Sequence, residues 1–123
     1  MTISVRSLVP LVHVHSVVVS IAFYEKLGFS LGNTFVPPGA SEPSWAWLQS
    51  GDASLMLGKA GEPVVASQQA VLFYLYVDDV AAKHAELRDA GIPGSEVQYP
   101  FYAERGEFRI EDPDGYTLMV THT

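Results

Sequence analysis

Gly106 to Val120 reads GEFRIEDPDGYTLMV, and its alternation decides the fold. Phe108 and Ile110 alternate with Glu107, Arg109 and Glu111, the period-two pattern of a strand with one buried face. Asp112-Pro113-Asp114-Gly115 then supplies turn chemistry. Proline presets φ near about −65°, aspartate bonds nearby backbone, and glycine tolerates positive φ. Tyr116 to Val120 resumes as a second strand. The hairpin carries no nucleophile and no phosphate cradle, so alone it predicts architecture and no chemistry.

Working outward, residues 95–99 read as a short strand and Pro100 to Arg105 as a loop. Upstream of them, Val71 to Val77 is a strand, Asp78 or Asp79 caps a helix, and that helix runs to Ala90 before Gly91. The first half has the same order. Residues 5–14 form a strand, Ser16 an N-cap, Val17 to Leu27 a helix stopped by Gly28, and Phe29 to Val36 a strand. Pro37 to Pro43 is a loop, and Ser44 to Gln49 with Ala53 to Gly58 a hairpin. An ungapped shift of 63 sets Val14 on Val77, Gly28 on Gly91, Trp45 on Phe108, Trp47 on Ile110, and Leu55-Met56-Leu57 on Leu118-Met119-Val120. We therefore expect an α+β fold of two βαβββ modules, about 1–60 and about 68–123, within one domain spanning 1–123. Each is a curved, mostly antiparallel sheet with a helix on its outer face.

Composition narrows the function. With 123 residues, 48% hydrophobic and 17% charged, the chain has the makings of a single globular core. No cysteine is present, which excludes disulfides, thiolate metal sites and cysteine nucleophiles. A net charge of −7 argues against a nucleic-acid partner. The N-terminus lacks the pattern of a signal peptide, and no apolar run approaches the ~20 residues that span a bilayer. No membrane partner and a cytoplasmic location are expected.

Alternation also assigns faces. Phe108, Ile110, Leu118 and Val120 go toward a helix, and by the shift of 63 so do Trp45, Trp47, Leu55 and Leu57. The open face then receives Ala46, Leu48, Ser54, Met56, Thr117 and Met119, with Val9, Leu11 and His13 matched by Leu72, Tyr74 and Tyr76. Glu107, Arg109 and Glu111 are left on the same side or at the edge. Such a lining, largely apolar with a few polar tips, suits a small-molecule pocket.

Ala22-Phe23-Tyr24, Leu27-Gly28-Phe29 and the closing Phe-x-x-x-Asp-Pro-Asp-Gly-Tyr hairpin resemble the vicinal oxygen chelate superfamily. That group holds glyoxalases, extradiol dioxygenases, fosfomycin-resistance enzymes and bleomycin-binding proteins. The resemblance implies a curved cavity in paired modules, commonly completed by a homodimer. Its enzymes hold a divalent metal with His and Glu at equivalent places in the two modules. Those places resemble Val9, Met56, Leu72 and Met119 here, none of which binds such an ion.

The resemblance therefore points to the metal-free branch: no cofactor, no metal, and a small, partly aromatic ligand such as an antibiotic or toxic metabolite. The candidate ligand-binding residues are His13, Leu48, Met56, Tyr74, Tyr76, Tyr102, Arg109 and Met119. Arg109 offers a planar fork for an anionic group, against the plainer reading that it pairs with Glu107 and Glu111. Tyr102 sits in a loop that would serve as a lid or pack on a partner. His13 and His15 are not expected to share an ion, His84 is expected to pack on the sheet, and His122 to be exposed. The rival reading is an enzyme, either a metal lyase or dioxygenase with a displaced site or a metal-independent isomerase. His13 would then be the general base, and Tyr76, Arg109 and Glu107 polar participants. A third is a regulatory module with a vestigial pocket.

Overall fold

The computed structural model describes residues 1–123, and the chain divides into two units, Met1–Val64 and Val65–Thr123. The first contains β1 (Leu11–Val14), α1 (Val17–Leu27), β2 (Ser30–Phe35), β3 (Trp45–Ser50) and β4 (Ala53–Lys59). The second opens with a 3-10 turn at Ala66–Gln68, then β5 (Leu72–Tyr76), α2 (Val80–Asp89), β6 (Phe108–Glu111) and β7 (Thr117–Thr121). Both sheets are mixed. The first runs β1-β4-β3-β2 and the second β5-β7-β6, with β1–β4 and β5–β7 parallel and the remaining pairs antiparallel.

The helices repeat each other closely. Ser16 and Asp79 cap α1 and α2 by accepting from the backbone N–H of Val19 and Ala82. Each helix then ends in a left-handed glycine, Gly28 at φ 112° and Gly91 at φ 83°. The following N–H reaches back across the last turn, Phe29 to Tyr24 and Ile92 to Leu87. These are Schellman closures, and they stop two helices of unequal composition at the same shift of 63. The valines that open α1 are weak helix formers; burial of Val17, with Tyr24 and Leu27 further along, holds that helix to β2, β3 and β4.

Two strands are shorter than the sequence predicts. β1 begins at Leu11, after Pro10, whose ring removes a ladder donor; residues 1–8 are exposed. Residues 95–99 contribute only a bridge between Gln98 and Glu107. There the backbone N–H of Arg109 bonds to the Ser95 hydroxyl instead of a carbonyl, so the ladder is interrupted beside β6. Close approach is still required. A Cβ on Gly94 would stand 3.0 Å from the Phe108 ring and 3.2 Å from Ile110.

The faces of β3 are the reverse of those the sequence predicts. Trp45 pairs with Gly58 and Trp47 with Met56, whereas Phe108 pairs with Val120 and Ile110 with Leu118. The shift from β4 to β7 is 63 as expected, but from β3 to β6 it is 62, setting Ala46 on Phe108 and Leu48 on Ile110. The cause is turn length. β3 and β4 close over two residues, Gly51-Asp52, whereas β6 and β7 close over five, Asp112 to Tyr116. A one-residue change of phase turns every side chain of a strand over. Ala46 and Leu48 are consequently core residues at 0% exposure, and Trp45 and Trp47 lie half-buried on the open side.

Candidate ligand-binding faces

Opposed residues in a ladder share a face, so the pairings arrange each open side in rows. In the first unit one row is Leu11, Met56, Trp47 and Asn33, and the next is His13, Gly58, Trp45 and Phe35. Two glycines make this surface possible. A Cβ on Gly58 would stand 3.0 Å from Leu11, and one on Gly32 would stand 3.1 Å from the Trp47 indole. His13 faces outward on β1; residues two apart share a strand face, and His15, also exposed, lies just past the strand end. Leu48 leaves the candidate set, because its side chain is buried on the opposite face. Trp45 and Trp47 replace it. The signal that finds them is the difference in turn length, which an ungapped comparison hides.

In the second unit the rows run across β6, β7 and β5. They are Glu111–Thr117–Leu72, Arg109–Met119–Tyr74 and, continuing the ladder by one step, Glu107–Thr121–Tyr76. Tyr74 and Tyr76 stack at 6.3 Å between ring centroids and 28° between planes, and both are largely exposed. Arg109 is exposed and makes neither of the ion pairs with Glu107 or Glu111 that its alternation predicts, whereas Lys83 pairs with Glu86 on α2. Glu107 is 7% exposed and accepts instead from the Tyr102 hydroxyl at 3.0 Å. That bond, and the negative charge behind it, push the Tyr102 phenol above its ordinary range.

The remaining histidines are structural. His84 donates from Nε2–H to the Ser95 carbonyl oxygen at 2.9 Å and meets the Phe108 ring edge-on at 4.8 Å. His122 is half-buried, against expectation, because its Nε2 accepts the Arg105 backbone N–H at 2.9 Å.

Residues 11–120 match the glyoxalase/bleomycin resistance protein/dioxygenase superfamily. The chain belongs to this superfamily. Among solved structures, it is similar to the bleomycin resistance determinant encoded on transposon Tn5, at 20% identity and TM-score 0.77, covering 97% of this chain and 98% of that one. A bleomycin-binding protein complexed with bleomycin matches at 21% identity and TM-score 0.75, over 97% and 99% of the two chains. TnmS3, an antibiotic binding protein from Streptomyces sp. CB03234, matches at 25% identity and TM-score 0.74, over 99% and 98%. No curated protein matches. Within this superfamily fold, Met56, Leu72 and Met119 occupy open-face rows, and Val9 precedes β1. None of the four carries an imidazole or carboxylate, and no group of three or more His, Asp or Glu side chains is placed to hold a metal. The residues present do not fit a divalent ion at those four positions.

Proposed function

We propose that this protein binds and sequesters a small, partly aromatic molecule such as an antibiotic or toxic metabolite. It does so without a metal, as a homodimer in the cytoplasm. The observation that carries this reading is the pair of rows Leu11–Met56–Trp47 and Arg109–Met119–Tyr74, where thioether and ring surface stands in place of ligating groups. Flat aromatic surface of this kind gives a planar ligand contact area at low entropic cost. The likeness to a bleomycin-binding protein and to an antibiotic binding protein supports the same class of ligand.

Both tryptophans of the chain stand on one open face, so their fluorescence reports directly on occupancy. Titration with metal-free bleomycin, and with a panel of planar aromatic antibiotics, is expected to give a saturable change for at least one compound. Native mass spectrometry of protein purified without chelator is expected to show a dimer free of divalent ions. A stoichiometric ion, or no saturable change across the panel, would overturn the reading.

A further inference from the structure

Glu107 is the one acidic side chain of the second unit's open face that is drawn out of water, and only half of its carboxylate is used. Oε1 accepts from the Tyr102 hydroxyl, while Oε2 is buried without a partner. Its cross-strand neighbour Thr121 does not help, because that hydroxyl donates to the Gly106 carbonyl at 3.3 Å. Arg109, two residues along the same face, makes no ion pair with it. An unpaired buried carboxylate oxygen is costly, and such atoms mark places where a further group binds. A carboxylate oxygen lacking a donor calls for a cation or an N–H group.

What surrounds it has the same preference. Tyr76 ends the row that Glu107 begins, about 10 Å across the sheet at two strand spacings. Tyr74 stacks on Tyr76, and Tyr102 already touches the carboxylate. Aromatic faces attract ammonium and guanidinium groups through their quadrupole, and most strongly where water is excluded. We propose that the β6–β7–β5 face takes the cationic nitrogen of an amine-bearing or quaternary ammonium ligand, set between the Glu107 carboxylate and the rings of Tyr74, Tyr76 and Tyr102. This deepens the sequestering reading and rests on it. Because Oε2 is shielded, the ligand enters as the turn carrying Tyr102, closed by Ala103 N–H to Pro100 and Gly106 N–H to Ala103, lifts from the sheet.

The test compares benzyltrimethylammonium with benzyl alcohol, a neutral compound on the same ring, by NMR titration of the tyrosine ring signals. The cation is expected to bind about tenfold or more tightly, the scale of a partly desolvated cation–aromatic contact. Glu107→Gln is expected to erase that preference by weakening the cation about tenfold. Should that variant fail to fold, Tyr76→Leu, at an exposed position, is expected to weaken the cation more than the alcohol. Equal binding of the two probes, or a preference untouched by both variants, would overturn the cation site. If the tryptophan titration still saturates with an antibiotic, the sequestering reading stands without it. Loss of both signals would remove the two together.

Discussion

The two open faces descend from one pattern and have become chemically different. Where the first unit presents Leu11, Met56 and Trp47 in a row, the second presents Tyr74, Met119 and Arg109. The middle residue is shared, the flanks are not. In the first unit tryptophan and leucine offer apolar surface. In the second, tyrosines stand on one flank and charged residues on the other. The first face suits an apolar ring system and the second a polar or charged group. The repeat thus supplies the scaffold twice, and the flanks give each copy its own chemistry.

The contrast between the two faces depends most strongly on the phase of β3. Leu48→Ala is expected to cost about 2–5 kcal/mol of stability in urea unfolding, since it empties a fully buried position. Trp47→Ala, on the half-buried open face, is expected to cost less despite removing a larger side chain. Reversal of that order would show that the faces of β3 are assigned the wrong way round. The next effect lies in the turns. Asp112 Oδ1 accepts from the backbone N–H of both Asp114 and Tyr116 at 2.9 Å, and Asp112 is buried. Asp112→Ala is therefore expected to lower stability by about 1–3 kcal/mol. Its counterpart Asp52→Ala, in the two-residue turn, is expected to stay within about 0.5 kcal/mol. Equal losses would mean that the longer turn is not held by its aspartate.

The smallest effect is spectroscopic. The Tyr102 phenol is raised by its bond to Glu107 and by that residue's charge. Its neutral form is favoured by folding, so the contribution is present below the ordinary tyrosine range and disappears as pH rises through the raised value. Ultraviolet titration of tyrosinate is expected to show a late-ionising tyrosine that moves earlier in Glu107→Gln. An unchanged titration curve would mean that the Tyr102–Glu107 bond does not persist in solution.

Much of this architecture was legible in the sequence because local chemistry wrote it. Caps at Ser16 and Asp79, stops at Gly28 and Gly91, and the alternation from Phe108 to Glu111 need no tertiary knowledge. Tyr74, Tyr76, Met56, Met119 and Arg109 fall on the open faces as alternation predicts. Leu48, Trp45 and Trp47 lie on the faces opposite to those expected because turns of unequal length break the phase between the two hairpins. Both phases of β3 are apolar, WAWL, so hydrophobicity could not arbitrate between them. Residues 95–99 lost their ladder to a single serine hydroxyl, an interaction no periodicity records. The buried half of the Glu107 carboxylate was equally invisible, since a glutamate in an alternating strand reads as a solvated charge.

The five-residue turn at Asp112 to Tyr116 has a consequence for anyone wishing to recombine such proteins. Each hairpin is a cassette that carries its own phase. Moved whole into the other unit, with strand and turn together, it would keep its outward residues outward. Cut at the turn and joined to the foreign strand, it would turn phenylalanine and isoleucine to the open face and bury an arginine. Exchange between repeats is thus free at the ends of the hairpin and forbidden at its tip, so the heritable unit of this fold is the strand pair.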